Sequence, residues 1–157
     1  MISIYIIKKQ RRLQLMSDKG IILSCGIGLG LSPEEPKTRE GDGKTPEGRY
    51  AVCTRNEQSK YTLFLGLNYP SDSDALSAYE QGIITLAQLK AIHYAHANGL
   101  RPPWDTPLGG QIGIHGGGIE SGGILIDSTA GCIALRDADI QRLWTFADIG
   151  TPVIIHP

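Results

Sequence analysis

Eight of the chain's twenty glycines fall between Gly109 and Gly123, and this crowding limits the fold more than any other feature. Glycine has no side chain to pack and loses the most backbone freedom on ordering, so a stretch this rich in it cannot be a regular helix or a central strand. The segment is expected to be mostly irregular backbone wrapped round His115. Elsewhere the apolar residues come in short runs bounded by turn residues, the mark of small strands.

Ile2 to Ile7, Arg12 to Leu15 and Ile21 to Leu23 read as a meander, with Ser17-Asp-Lys-Gly20 as a turn. Ser32 to Gly48 holds prolines, glycines and charges without apolar period, hence a surface loop. Tyr50 to Cys53 and Tyr61 to Leu67 resume strand character. From Ser73 the period becomes helical, through Ala75 to Tyr79 and then Leu86, Leu89, Ile92 and Ala97. Thr85 can cap the second helix and Asn98-Gly99 can end it. Pro102 to Pro107 is extended and leads into a strand at Gln111 to His115. After Cys132-Ile-Ala-Leu135, Asp137 can cap a helix reaching Ala147, and Val153 to Ile155 closes as a strand. No repeat or linker divides the chain, and 157 residues with 41% hydrophobic content suit one domain over 1–157.

A formal net charge of -1 gives no electrostatic case for nucleic acid. The cluster Lys8-Lys9-Gln10-Arg11-Arg12 reads as the solvated end of a strand. No run reaches the roughly 18 apolar residues of a membrane span. The charges follow the apolar start Met1 to Ile7, the reverse of a secretory signal.

His115, in Gln111-Ile-Gly-Ile-His115-Gly-Gly-Gly118, precedes Cys132, in Ser128-Thr-Ala-Gly-Cys132, by 17 positions. A cysteine attacks a carbonyl as thiolate, and with a free pKa of about 8.5 it needs a base to supply one near neutral pH. Histidine is the usual base. Gly131 lets the backbone turn tightly before the sulfur and frees neighbouring amides for an oxyanion.

The stretch from His115-Gly116 to Ser128-Thr-Ala-Gly-Cys132-Ile-Ala-Leu135 resembles the signature of the L,D-transpeptidase catalytic domain, the YkuD family of peptidoglycan cross-linking enzymes. Gly41-Asp-Gly-Lys-Thr-Pro-Glu-Gly48-Arg-Tyr50, Leu65-Gly-Leu-Asn-Tyr-Pro70 and Pro102-Pro-Trp-Asp-Thr-Pro-Leu-Gly-Gly110 resemble further segments of these domains, in the same order. Ala130 stands where many members carry a second histidine, and Ala134 where many carry arginine.

The resemblance implies a mainly β fold, an L,D-transpeptidase-like sandwich of two small sheets bent round a cleft, with a helical insertion and a helix after Cys132. It implies Cys132 as nucleophile, His115 as base, the Gly116 carbonyl as orienter of the imidazole, and the amides of Ala130, Gly131 and Cys132 as oxyanion hole. Thr129, Arg136 and Trp104 are candidate substrate contacts. A plain surface arginine is the alternative for Arg136, and a core plug for Trp104. The stretch from Ser73 to Trp104 is expected to wall the cleft.

The implied partners are peptidoglycan stem peptides and carbapenems, and the implied location is the cell envelope. A carboxypeptidase or amidase of the same fold, or an inactive wall-binding domain, are the alternatives. No metal or organic cofactor is implied. His93 and His96 lack a third ligand, Gly43-Lys44-Thr45 lacks the earlier glycine of a phosphate loop, and Gly26-Ile-Gly-Leu-Gly30 lacks dinucleotide spacing. Asp72 and Asp74 lack the rest of a calcium loop. Cys25 and Cys53 sit among apolar residues and read as small buried hydrophobes, with a disulfide between them left open.

Overall fold

A computed structural model describes residues 1–157. The short apolar runs form strands β1 (Ser3–Ile7), β2 (Arg12–Ser17), β3 (Gly20–Gly26), β4 (Gly48–Ser59) and β5 (Thr62–Leu67). Helices α1 (Asp72–Glu80) and α2 (Leu86–Ala97) follow. After them come β6 (Gly113–His115), β7 (Glu120–Ser121), β8 (Ile124–Leu125), β9 (Ile133–Ala134), α3 (Asp137–Trp144) and β10 (Pro152–His156).

Alternation decides which face of the sheet is buried. Ile4 and Ile6 of β1 point inward beside Leu13 and Leu15 of antiparallel β2 and Val153 and Ile155 of parallel β10. Each such side chain removed from water contributes about 1.5–3 kcal/mol. These residues belong to one core of 27 buried side chains that also takes in Ile140 and Leu143 of α3.

The two expected small sheets share a strand. The order is β3-β2-β1-β10-β4-β5-β6-β9, with β7 and β8 as a separate ribbon. β4 is the hinge between the halves. It pairs β10 through Gly48 to Ala51 and β5 from Val52 onward, with register shifts between Val52 and Thr54 and between Asn56 and Ser59. Such irregularities bend a strand and increase its twist. The sheet curls until its ends meet: Gly28, beyond β3, exchanges hydrogen bonds of 2.9 and 2.8 Å with Ala134 of β9, and Gly30 bridges to Thr129. A Cβ at Gly30 would lie 2.1 Å from the Gly43 carbonyl oxygen. A Cβ at Gly28 would likewise lie 2.3 Å from the Ile126 carbonyl oxygen, so Gly28 and Gly30 permit close backbone-to-backbone approach.

Both helices of the insertion begin with reciprocal capping boxes, Ser71 with Asp74 and Thr85 with Gln88. Asp137 differs from expectation. It is the first residue of α3 and not its cap, which is Arg136 and makes no side-chain cap bond. Its carboxylate instead accepts from the Gly117 amide at 2.8 Å and the Thr62 hydroxyl at 2.9 Å.

The basic cluster is solvated at Lys9, Gln10 and Arg12, which are exposed, but not at Lys8 or fully at Arg11. Lys8 is buried, and its ammonium donates to the Thr45 carbonyl at 2.7 Å, the Glu35 carbonyl at 3.1 Å and Glu47 at 3.0 Å. Arg11 pairs with Asp127 at 2.8 Å. Acceptors from distant segments make burial of the Lys8 charge tolerable, and they fasten the Ser32–Gly48 loop to the sheet. All three cysteines are free. Three strands, β2, β1 and β10, lie between Cys25 on β3 and Cys53 on β4, so the two cannot approach the roughly 7 Å Cα limit of a disulfide.

Candidate active site

His115 ends β6, and Cys132 sits one residue before β9, the parallel neighbour. The register pairs Ile114 with Ile133 and His115 with Ala134, so Cys132 falls opposite Gly113, on the same face as His115 and two positions behind it. Adjacent strands about 4.8 Å apart and a two-residue step of about 6.6 Å put the two Cα atoms diagonally about 8 Å apart, within reach of converging side chains. Both line a cleft of about 1020 Å³.

The imidazole is held on three sides. Its Nδ1 lies 2.6 Å from the Gly116 carbonyl oxygen. A carbonyl only accepts, so Nδ1 carries the proton and Nε2 keeps its lone pair. The Tyr61 ring stacks on it at 4.3 Å between centroids, and Phe64, its cross-strand partner on β5, stacks at 6.2 Å. This burial lowers the His115 pKa from its usual value, against the opposing pull of the Gly116 carbonyl.

The Cys132 thiol donates to the Gln111 carbonyl at 3.3 Å, and no hydrogen bond joins it to His115. Gln111 holds a φ of 55°, uncommon for a residue with a side chain. Burial raises the thiol pKa from its usual value, opposed by the Gly113 amide and the Lys37 charge. The resting pair is thus a neutral thiol and a neutral imidazole. Accordingly kcat/KM is expected to rise with pH as His115 loses its proton, with a midpoint below about 6.5, while iodoacetamide alkylation of Cys132 rises only above about pH 8.5. Thiolate reactivity with a midpoint below pH 7 would instead indicate a preformed ion pair.

The loop before the sulfur departs from the expected division of roles. The Thr129 hydroxyl accepts from the Gly131 amide at 3.0 Å and donates to the Cys132 carbonyl at 2.7 Å. Thr129 therefore shapes the loop, and the Gly131 amide is already taken. The amides of Ala130 and Cys132 have no partner within the chain, which leaves these two for a developing oxyanion.

Arg136 lies outside the cleft. It pairs with Glu120 and donates to the Gly123 carbonyl at 2.8 Å, so it fastens the β7–β8 ribbon instead of waiting for substrate. Trp104 does line the cleft and is also anchored in the fold, with its indole N–H on the Tyr69 carbonyl at 3.1 Å and the Arg101 guanidinium 4.3 Å from its ring. Trp104 thus borders the cleft from a position fixed by the fold.

The helical hairpin does not wall the cleft. Its Asp72, Ser73, Asp74 and His96 border a second, smaller depression near Tyr50. The walls come from the β4–β5 tip, Gln58 to Tyr61, from Lys37 and Glu40, and from Ile119. Sequence reasoning missed Tyr61, Phe64 and Lys37, and only the Phe64–His115 pairing left a trace, in the strand character of both segments.

Comparison with solved structures finds the same architecture. Bd1075 of Bdellovibrio bacteriovorus matches at 24% identity and a TM-score of 0.62, over 98% of this chain and 47% of that one. The helical cell shape determining protein Pgp2 of Campylobacter jejuni matches at 22% and 0.63, over 98% and 46%. The L,D-transpeptidase LdtMt1, solved in complex with imipenem, matches at 12% and 0.54, over 98% and 58%. The chain thus spans about half the length of the structures it resembles. Among curated proteins none matches. The family model of the L,D-transpeptidase catalytic domain, YkuD, matches residues 2–155, nearly the whole of the curled sheet together with His115 and Cys132, and the chain belongs to that family.

Proposed function

We propose that this protein is a cysteine-dependent L,D-transpeptidase acting on peptidoglycan stem peptides in the cell envelope. The observation that carries this reading is the cleft in which a tautomer-fixed imidazole, a thiol just ahead of the neighbouring strand and two unclaimed amides converge. The thiol turns from the Gln111 carbonyl and gives its proton to Nε2 of His115. The thiolate then attacks the carbonyl between an L-centre and a D-centre, and the Ala130 and Cys132 amides receive the developing negative charge.

Collapse expels the D-amino acid, whose amine takes the proton from the imidazolium, and leaves a thioester on Cys132. An acceptor amine, deprotonated by His115, attacks the thioester and restores the thiol. A carbapenem presents its ring carbonyl to the same thiolate and forms a stable adduct. The imipenem complex of the structural relative supports this part of the reading. No helix is long and apolar enough to cross a membrane, and the family's substrate is what supports the envelope.

Incubation with a tetrapeptide stem and an amine acceptor, followed by intact-mass analysis, tests this. The expected products are a thioester on the protein and a cross-linked dimer or exchanged D-amino acid. Tripeptide alone would assign a hydrolase. Binding without any covalent adduct would make the chain a wall-binding domain.

A further inference from the structure

The cleft contains one buried cation for which the acyl-transfer steps have no use. Lys37 is only 3% exposed along its side chain, lines the cleft and donates from Nζ to Asp42 Oδ1 at 2.9 Å. Asp42 is heavily shared. The same oxygen accepts from the Lys44 amide at 3.0 Å, and Oδ2 accepts from the Thr38 and Arg39 amides at 2.9 and 3.0 Å. Four donors thus divide one carboxylate, while no other acceptor in the chain takes the remaining two N–H groups of Lys37. A buried ammonium so placed is costly unless a further anion completes it.

The loop bearing it is rigidly tied to the reacting centre. The Glu40 amide donates to the Pro107 carbonyl at 2.9 Å. The Lys44 carbonyl oxygen lies 2.6 Å from where a Gly131 Cβ would stand, one residue from the sulfur. The other charged residues of the cleft, Lys60 and Glu40, are exposed, and the Lys60 ammonium lies over the Tyr61 ring at 5.0 Å.

We propose that Lys37 is the specificity residue that receives the free carboxylate of the donor's leaving residue, so that the donor is a stem ending at that D-residue with its carboxylate unblocked. This rests on the reading that Cys132 attacks the L,D-carbonyl. In such a donor the terminal carboxylate lies one residue, about 3.8 Å of chain, beyond the scissile carbonyl. Lys37 lines the same cleft as Cys132, on the loop whose Lys44 carbonyl meets Gly131, and its charge acts to lower the Cys132 pKa against burial.

The test compares two tetrapeptide donors that differ only in a C-terminal carboxylate or carboxamide, using wild type, Lys37→Gln, and Lys37→Gln combined with Asp42→Asn. Wild type is expected to favour the acid by at least about tenfold in kcat/KM, and the variants to lower that ratio to within about threefold of unity, mainly through KM. The double variant leaves no unpaired buried charge and carries the measurement if Lys37→Gln fails to fold. Equal use of both donors by wild type, or a preference that survives in the variants, overturns the assignment. Failure of wild type to form a thioester with either donor would instead refute the reading of Cys132 itself.

Discussion

Cys132→Ala is expected to lower turnover of stem peptides by at least about 10⁴-fold, because in the proposed mechanism it removes the atom that forms the acyl-enzyme and leaves only binding and the oxyanion amides. Cys25→Ala and Cys53→Ala should keep near wild-type turnover. Burial pushes their thiols up to about 12 and about 11 respectively, so neither supplies thiolate at neutral pH. Cys25 is buried in the core, and its truncation should lower stability by about 1 kcal/mol through lost packing. Intact-mass analysis after imipenem treatment gives an independent readout, with one adduct on wild type and on the Cys25 and Cys53 variants and none on Cys132→Ala. Comparable activity in Cys132→Ala would remove the thiol from the mechanism.

Gly131→Ala should damage both stability and catalysis. Gly131 holds a φ of 144°, where a Cβ would lie 2.6 Å from the Lys44 carbonyl oxygen. A side chain in that backbone region costs about 1–3 kcal/mol, and overpacking against a fixed carbonyl costs about 1–3 kcal/mol more. The loop can relieve the clash only by moving the Thr129 hydrogen bonds and, with them, Cys132 and the two free amides. A displacement of about 1 Å at a reacting centre costs about 10²-fold in rate, so kcat should fall by at least about that factor in the fraction that remains folded. Thermal melting followed by circular dichroism and single-turnover acylation separate the two effects. A variant with normal acylation would show that the loop tolerates a side chain and that its geometry is not tightly set by the Lys44 carbonyl.

Local signals were strong where one residue's chemistry decides its neighbours. Thr85 ahead of the helical period marks the start of α2, since its hydroxyl can meet an amide three residues on. Alternation in Ile2 to Ile7 marks β1. The same kind of signal misled at Asp137, whose carboxylate suits a cap but meets the Gly117 amide and the Thr62 hydroxyl, partners supplied by other segments. Arg136 and Thr129 have partners that the sequence does not show: Glu120 for the charge, and the Gly131 amide and Cys132 carbonyl for a hydroxyl that also lines the cleft. Lys8 looked solvated because its acceptors lie 27 to 39 residues away.

By itself the sequence determined the β-rich character, the two-helix insertion, the family-like motif order and the pairing of His115 with Cys132, because each depends on residue type and short spacing. Tertiary structure alone decided how the sheet curls until Gly28 meets Ala134. It also decided that the β4–β5 tip, and not the helices, walls the cleft, and that Tyr61 and Phe64 enclose the imidazole. It likewise turned the Lys37 side chain toward that cleft. Those outcomes depend on strand register, bulge position and closure between residues far apart in the chain, and one-residue slips in register move every side chain to the opposite face. Residue identity alone carries no term for that choice; it is made by the summed packing of the whole core.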